Sequence, residues 1–313
     1  MKKLQFYLSG FLALQLVLAV GLYWNQVHQQ AQQQRSEALV AVVPDEIQRV
    51  EIRGDKKSLT LVKQGDKWQL PDMHKLPADG AKLRALLAKL GNLRGNWPVA
   101  TTSSAQERFE VAKDKFRKRL RLYGSGDKVL AELYVGTSPG FRKVNVRRAG
   151  EDAIYSVSLN SYELPVADDS WLDKSLLAAG PVKAISGPDY QLAKHGDKWQ
   201  FSHGDADLDT TKAAALASAL AELRVTRAAD KVPDGEHVTL QVSAGGGKLN
   251  YTFTKADKHC YVARSDRQQA FEISSGDYQR IAALRNQQLV MKPAGDAERT
   301  ADGKTDKGKA AHS

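Results

Sequence analysis

The sequence has one cysteine, Cys260, among 313 residues. No intramolecular disulfide can form, and no paired-cysteine metal or redox motif exists. Cys260 reads as a small apolar filler in a strand. Histidine is scarce at 7 and methionine at 3, and aromatics make up only 7%. Phosphate loops and zinc-protease helices are missing, and so is a nucleophile elbow; GTSPG at 136–140 and Gly245-Gly246-Gly247 read as turns between strands. Asp205, Asp207 and Asp209 have the spacing that opens a calcium loop. Thr210 stands where that loop needs Gly, however, and Leu216 where it needs Glu. His195 lies at a hairpin turn and its counterpart in a repeat described below is Gln64, so a metal pair with His203 is not expected. These gaps leave no expected catalytic residue, cofactor or metal, and the chain does not read as an enzyme.

Charge and apolar length are what the chain does have. It is 42% hydrophobic and 26% charged, with a formal net charge of +10. Its length suits about two domains. After Lys2 and Lys3, the run from Leu4 to Trp24 carries no charge. As a helix at ~1.5 Å per residue it would span roughly 30 Å, the hydrocarbon thickness of a bilayer. Lys2 and Lys3 favour a cytoplasmic N-terminus, and Tyr23 and Trp24 suit the opposite interface. The expectation is a transmembrane signal-anchor over 1–25, a polar linker over 26–43, and the bulk of the chain in the periplasm beyond a bacterial inner membrane. A cleavable signal peptide ending near Ala19-Val20-Gly21 is the alternative, though the run is long for one. A nucleic-acid partner is not expected in that compartment.

Residues 63–70 read KQGDKWQL, and residues 194–201 read KHGDKWQF. The repeat continues: Asp79, Lys82, Leu86, Leu90, Leu93 and Arg94 match Asp209, Lys212, Leu216, Leu220, Leu223 and Arg224. The leucines form a helical stripe, with an N-cap Asp before each. Strand-like hairpins follow in both copies, RKRLRLY with KVLAELYVG and HVTLQVS with KLNYTFT. Each copy ends on a helix-like run, SYELPVADDSWLDKSLL or GDYQRIAALRNQQLV. The expected fold class is α+β: after the transmembrane helix, two tandem repeats at 44–178 and 180–291, each a hairpin, helix, antiparallel meander and closing helix. The segment 292–313 lacks large apolar residues and reads as disordered.

A two-residue Gly-Asp turn with Gly first predicts a type II′ hairpin, with Lys63 opposite Trp68 and Lys194 opposite Trp199. The tryptophans then serve as core; a tryptophan-lined ligand site in each copy is the alternative. The copies differ most in a basic stretch. Arg117, Arg119 and Arg121 share one face of a strand, with Arg142, Lys143, Arg147 and Arg148 on the meander behind it. This is either a solvated face or a docking patch for anionic lipid head groups or an acidic partner.

Taken in order, IQRVEIR, LTLVKQGDKWQLP, LPAD before a leucine helix, LYVG and DDSWLDKSLL resemble the domain of unknown function 4340 family, over about 44–291 in two copies. In the second copy LPAD and DKSLL have become ADLD and RNQQL. The resemblance implies a single-pass envelope protein, often associated with gliding-motility-type ABC transporter components, and transfers no catalytic residue. The functional expectation is a membrane-anchored, periplasm-facing scaffold for an integral-membrane transporter complex. A glycan- or lipid-binding module using a cleft between the repeats is the alternative.

Overall fold

The computed structural model describes Gln15, residues 37–204 and residues 206–291. The expected membrane segment, with Lys2, Lys3, Tyr23 and Trp24, lies outside the described residues, as does the tail after Met291. Among the described residues no helix is long and apolar enough to cross a membrane. The chain divides into two compact units, at Asp173 and Lys174.

In the first unit, eight antiparallel strands form one sheet in the order β10-β9-β8-β7-β2-β3-β4-β5. They are β2 (Arg49–Arg53), β3 (Ser58–Gln64), β4 (Lys67–Leu70), β5 (Leu76–Pro77), β7 (Lys118–Tyr123), β8 (Val129–Val135), β9 (Val144–Arg148) and β10 (Ile154–Val157). Two short strands, β1 (Glu37–Ala38) and β6 (Arg94–Gly95), pair apart from it. Helix α1 runs over Gly80–Gly91 and α2 over Ser103–Arg108. Strand alternation sorts the side chains. Val50 faces Leu61 and Leu122, Ile52 faces Leu59 and Leu120, and Leu120 faces Leu133, all buried. This is the main core face. Leu83, Leu86, Leu87 and Leu90 of α1 are buried as well.

The second unit builds its own eight-stranded antiparallel sheet in the order β13-β12-β11-β15-β16-β17-β18-β14. Its strands are β11 (Val182–Ser186), β12 (Gln191–His195), β13 (Lys198–Phe201), β14 (Val225–Ala229), β15 (Glu236–Ala244), β16 (Gly247–Ala256), β17 (His259–Arg264) and β18 (Ala270–Ile273). Helix α3 (Thr210–Ala221) packs against β11, β13 and α4 (Ser275–Ile281), and α5 (Asn286–Leu289) follows.

The fold is therefore mainly β, which corrects the α+β expectation of helix–hairpin repeats. Among the described residues each unit has one helix as long as 12 residues. The run expected to close the first unit as a helix forms two 3-10 turns, Ser161–Glu163 and Asp168–Ser170. Pro165 explains this, because it lacks an amide donor and disfavours a helical residue before it. Leu176, Leu177 and Ala178 belong to the second unit, where Arg264 and the Tyr251 hydroxyl donate to their carbonyls at 2.8–3.3 Å.

The opening hairpins take the register that the turn dictates: Lys63 faces Trp68 and Lys194 faces Trp199. Gly65 (φ 59°) and Gly196 (φ 58°) supply the left-handed first residue. Both tryptophans are buried, at 7% and 6% exposure, so their area goes into the scaffold and not into an open ligand site. The units also repeat a clamp. The Asp79 and Asp209 side chains cap α1 and α3 by accepting from the Lys82 and Lys212 amides at 2.9 and 3.1 Å. The backbone amides of the same aspartates donate to Trp171 O and Leu289 O, both at 2.7 Å. The Lys82 and Lys212 ammonium groups reach Ser170 O (2.5 Å) and Gln288 O (2.7 Å). One Asp-x-x-Lys thus bolts the helix start to the segment that ends each unit.

Candidate functional site

The second face of the first sheet carries the arginine-rich stretch. Alternation along β7 sends Leu120 and Leu122 into the main core and Arg119 and Arg121 to the other side. Cross-strand rows follow from the register: Glu51–Arg121–Glu132, and Arg53–Arg119–Tyr134–Arg147–Ile154. Arg119 lies 3.4 Å from Glu51 and 3.9 Å from Glu132. Arg121 Nε approaches Glu132 Oε1 to 3.0 Å, a close ion pair without hydrogen-bond geometry. Tyr123 donates to Glu51 at 2.9 Å. Burial, then the Glu132 charge, raise the Tyr134 phenol above its usual pKa.

An insertion between β6 and β7, residues 96–117, lies over this face. Its Ala105 and Val111 form a small second core with Tyr134 and Ile154, and Phe109 and Phe116 pack against it. The insertion leaves a cleft of about 660 Å³ whose lining includes Arg53, Asp55, Glu110, Lys113, Asp114 and Arg119. With Lys115 and Arg117 its lining holds five basic and three acidic side chains, a mixed surface with a basic excess.

The seven residues expected to form a docking patch divide three ways. Arg147 is buried; it donates to Val111 O and Glu151 O, both at 2.8 Å, and lies 4.7 Å from the Tyr134 ring centre. It ties the insertion to the sheet. Arg117 pairs with Glu110, Arg119 and Arg121 with the glutamates of the ladder, and Arg148 with Glu37 (2.9 Å) and Glu151 (2.8 Å). The Arg148 hydrogen bond holds the Glu37 carboxyl below its usual pKa. Arg142 and Lys143, exposed on the β8–β9 loop, have no carboxylate partner among the described residues. Glu51 and Glu132 come from neighbouring strands and Glu37 from β1, brought in by the fold, whereas Glu110 and Glu151 are local, seven and three residues from Arg117 and Arg148. The one sequence signal of the distant glutamates is the alternation in RVEIR.

GTSPG at 136–140 has the spacing of a nucleophile elbow but lies between two strands, without the strand-to-helix turn that exposes such a serine. Ser138 Oγ sits 2.9 Å from Gly140 O and 2.5 Å from Lys143 O, which makes it a brace for the loop. No group of three or more His, Cys, Asp or Glu that could hold a metal occurs among the described residues.

No curated protein and no solved structure matches the chain. A family pattern does, from residue 68 to residue 242. It runs as one stretch from β4 to β15, across both units, and not as one stretch per copy. Because that stretch covers more than half of the sequence, the chain belongs to the family described as Domain of unknown function (DUF4340).

Proposed function

We propose that the chain is a non-catalytic, membrane-anchored interaction protein of the bacterial envelope. Leu4–Trp24 is the anchor, and the two units stand on the periplasmic side as a scaffold beside an integral-membrane complex. One observation carries this reading: the residues that the units share serve the scaffold, whereas the exposed cations Arg142 and Lys143 stand on a loop that the second unit shortens to Asp257-Lys258. The shared Gly-Asp turn, tryptophan and Asp-x-x-Lys clamp each have a structural task. The charged second face, its insertion and the β8–β9 loop belong to the first unit. A repeated framework with divergent surfaces suits two binding events on one chain. The proposed partner, a gliding-motility-type ABC transporter, is supported by the family resemblance.

Crosslinking in native membranes followed by purification of the full chain tests this. Transporter membrane subunits are expected among the crosslinked species. Recovery of the chain without any of them would overturn the assignment.

A further inference from the structure

We propose that the β8–β9 loop and Tyr162 form a tip by which the first unit rests on an anionic lipid bilayer. This rests on the membrane-anchored reading above and names the surface that touches the membrane. Phe141 and Tyr162 are both 86% exposed, the most exposed large hydrophobic residues among those described. They lie at one end of the first sheet. The loop joins Val135 to Val144, and Lys118, the cross-strand partner of Val135, donates to Ser161 O (2.7 Å) and Leu164 O (2.5 Å) on either side of Tyr162.

The loop is held in shape. Ser138 Oγ braces two of its carbonyls, and Lys143 N donates to Gly140 O at 3.2 Å. Asn145 Nδ2 donates to Thr137 Oγ1 at 3.0 Å. Arg142 places its guanidinium 4.9 Å from the Phe141 ring centre. Arg142 and Lys143 are the two members of the basic stretch whose charge no carboxylate offsets among the described residues. An exposed aromatic ring beside uncompensated cations matches the headgroup layer, where rings sit at the interface and cations meet anionic lipid. The tip is an exposed turn, which suits a broad, deformable surface better than a small ligand. Residues 25–36 could extend up to about 40 Å, enough to let the unit reach the bilayer from the proposed anchor.

The test uses the full chain with Cys260→Ser and a new cysteine, Gly140→Cys, carrying an environment-sensitive fluorophore. A side chain at Gly140 meets nothing within 4 Å. The protein is reconstituted into vesicles of phosphatidylcholine alone or with phosphatidylglycerol, each doped with a doxyl-lipid quencher. Strong quenching is expected with phosphatidylglycerol. Pure phosphatidylcholine should weaken it about twenty-fivefold, at about fivefold for each of the two cations. Phe141→Ser or the pair Arg142→Glu, Lys143→Glu should abolish it, with unchanged circular dichroism showing that the chain still folds. The same probe at Ser125→Cys, exposed in the β7–β8 turn at the other end of β8, should stay unquenched.

Absent quenching at position 140, equal quenching in neutral lipid, or equal quenching at position 125 would each overturn the proposal. So would charge reversal that removes a protein crosslink while leaving quenching intact. Carbonate extraction of the same vesicles scores the anchor separately, so the anchor and the tip can fail independently.

Discussion

The two units spend the second face of their sheets differently. In the second unit, β15 alternates buried Val238, Leu240 and Val242 with exposed Thr239 and Gln241 and half-buried Ser243, a polar, uncharged row, and ion pairs on that face gather at Glu272, which meets Arg227 and His259 toward the β14 edge. In the first unit the corresponding rows are Glu51–Arg121–Glu132 and Arg53–Arg119–Tyr134–Arg147, partly roofed by the insertion and its own small core. The main core face and the clamp are alike in both. A sheet with one buried face can take new chemistry on the other without disturbing the packing that stabilises it. Here the first unit took it.

The comparison predicts unequal responses to mutation, readable by urea denaturation with hydrogen exchange resolved by unit. The largest effect is expected for Trp171→Ala. Its ring is fully buried, its Nε1 donates to Pro165 O at 2.9 Å, and its loss should cost about 3–5 kcal/mol. A loss below about 1 kcal/mol would remove Trp171 from the core. Next, Arg264→Met should cost about 1–3 kcal/mol by orphaning buried carbonyls, and exchange should rise first at 174–179. Arg147→Met should instead loosen 109–117, because its anchor is Val111 O. Opening at the same place in both variants would erase the contrast between these buried arginines.

Smaller effects test the shared and unshared features. Asp79→Ala removes the cap of α1 and should cost about 1 kcal/mol, seen as faster exchange in the first turn. Glu132→Gln should cost about 1 kcal/mol and keep much of its effect in high salt, because the carboxylate oxygen and the guanidinium nitrogens facing it are buried. The smallest effect concerns acid. The Arg264 hydrogen bond depresses the Asp266 pKa, so its stabilisation is present above about pH 4 and disappears as pH falls through the lowered folded value. Asp266→Asn should flatten that part of the acid profile in the second unit alone.

The hairpins were legible because their information is local. A glycine at the first turn position sets the twist, and the twist sets which residue faces Trp68 or Trp199. The Asp caps were legible for the same reason. The lysine of the clamp appeared as a matched letter without a task, because its acceptors lie 88 and 76 residues away. The closing helix failed where Pro165 interrupts an otherwise helical pattern. In the basic stretch the arginines adjoin in sequence, while the glutamates beside Arg119 and Arg121 arrive from β2 and β8, and one of the two on Arg148 from β1. Arg147 could not be separated from Arg142 without knowing that one faces Tyr134 and the other faces water.

The clamp also sets an order of events during synthesis. The α1 start is capped locally, but its bolt to Ser170 and Trp171 joins residues about ninety positions apart, a separation that slows closure. A chain interrupted before Trp171 has a capped helix with nothing to fasten it to and a leucine face still in water. The first unit completes itself only as its last residues emerge. The second repeats that dependence at Leu289, so each half of the protein waits for its own ending.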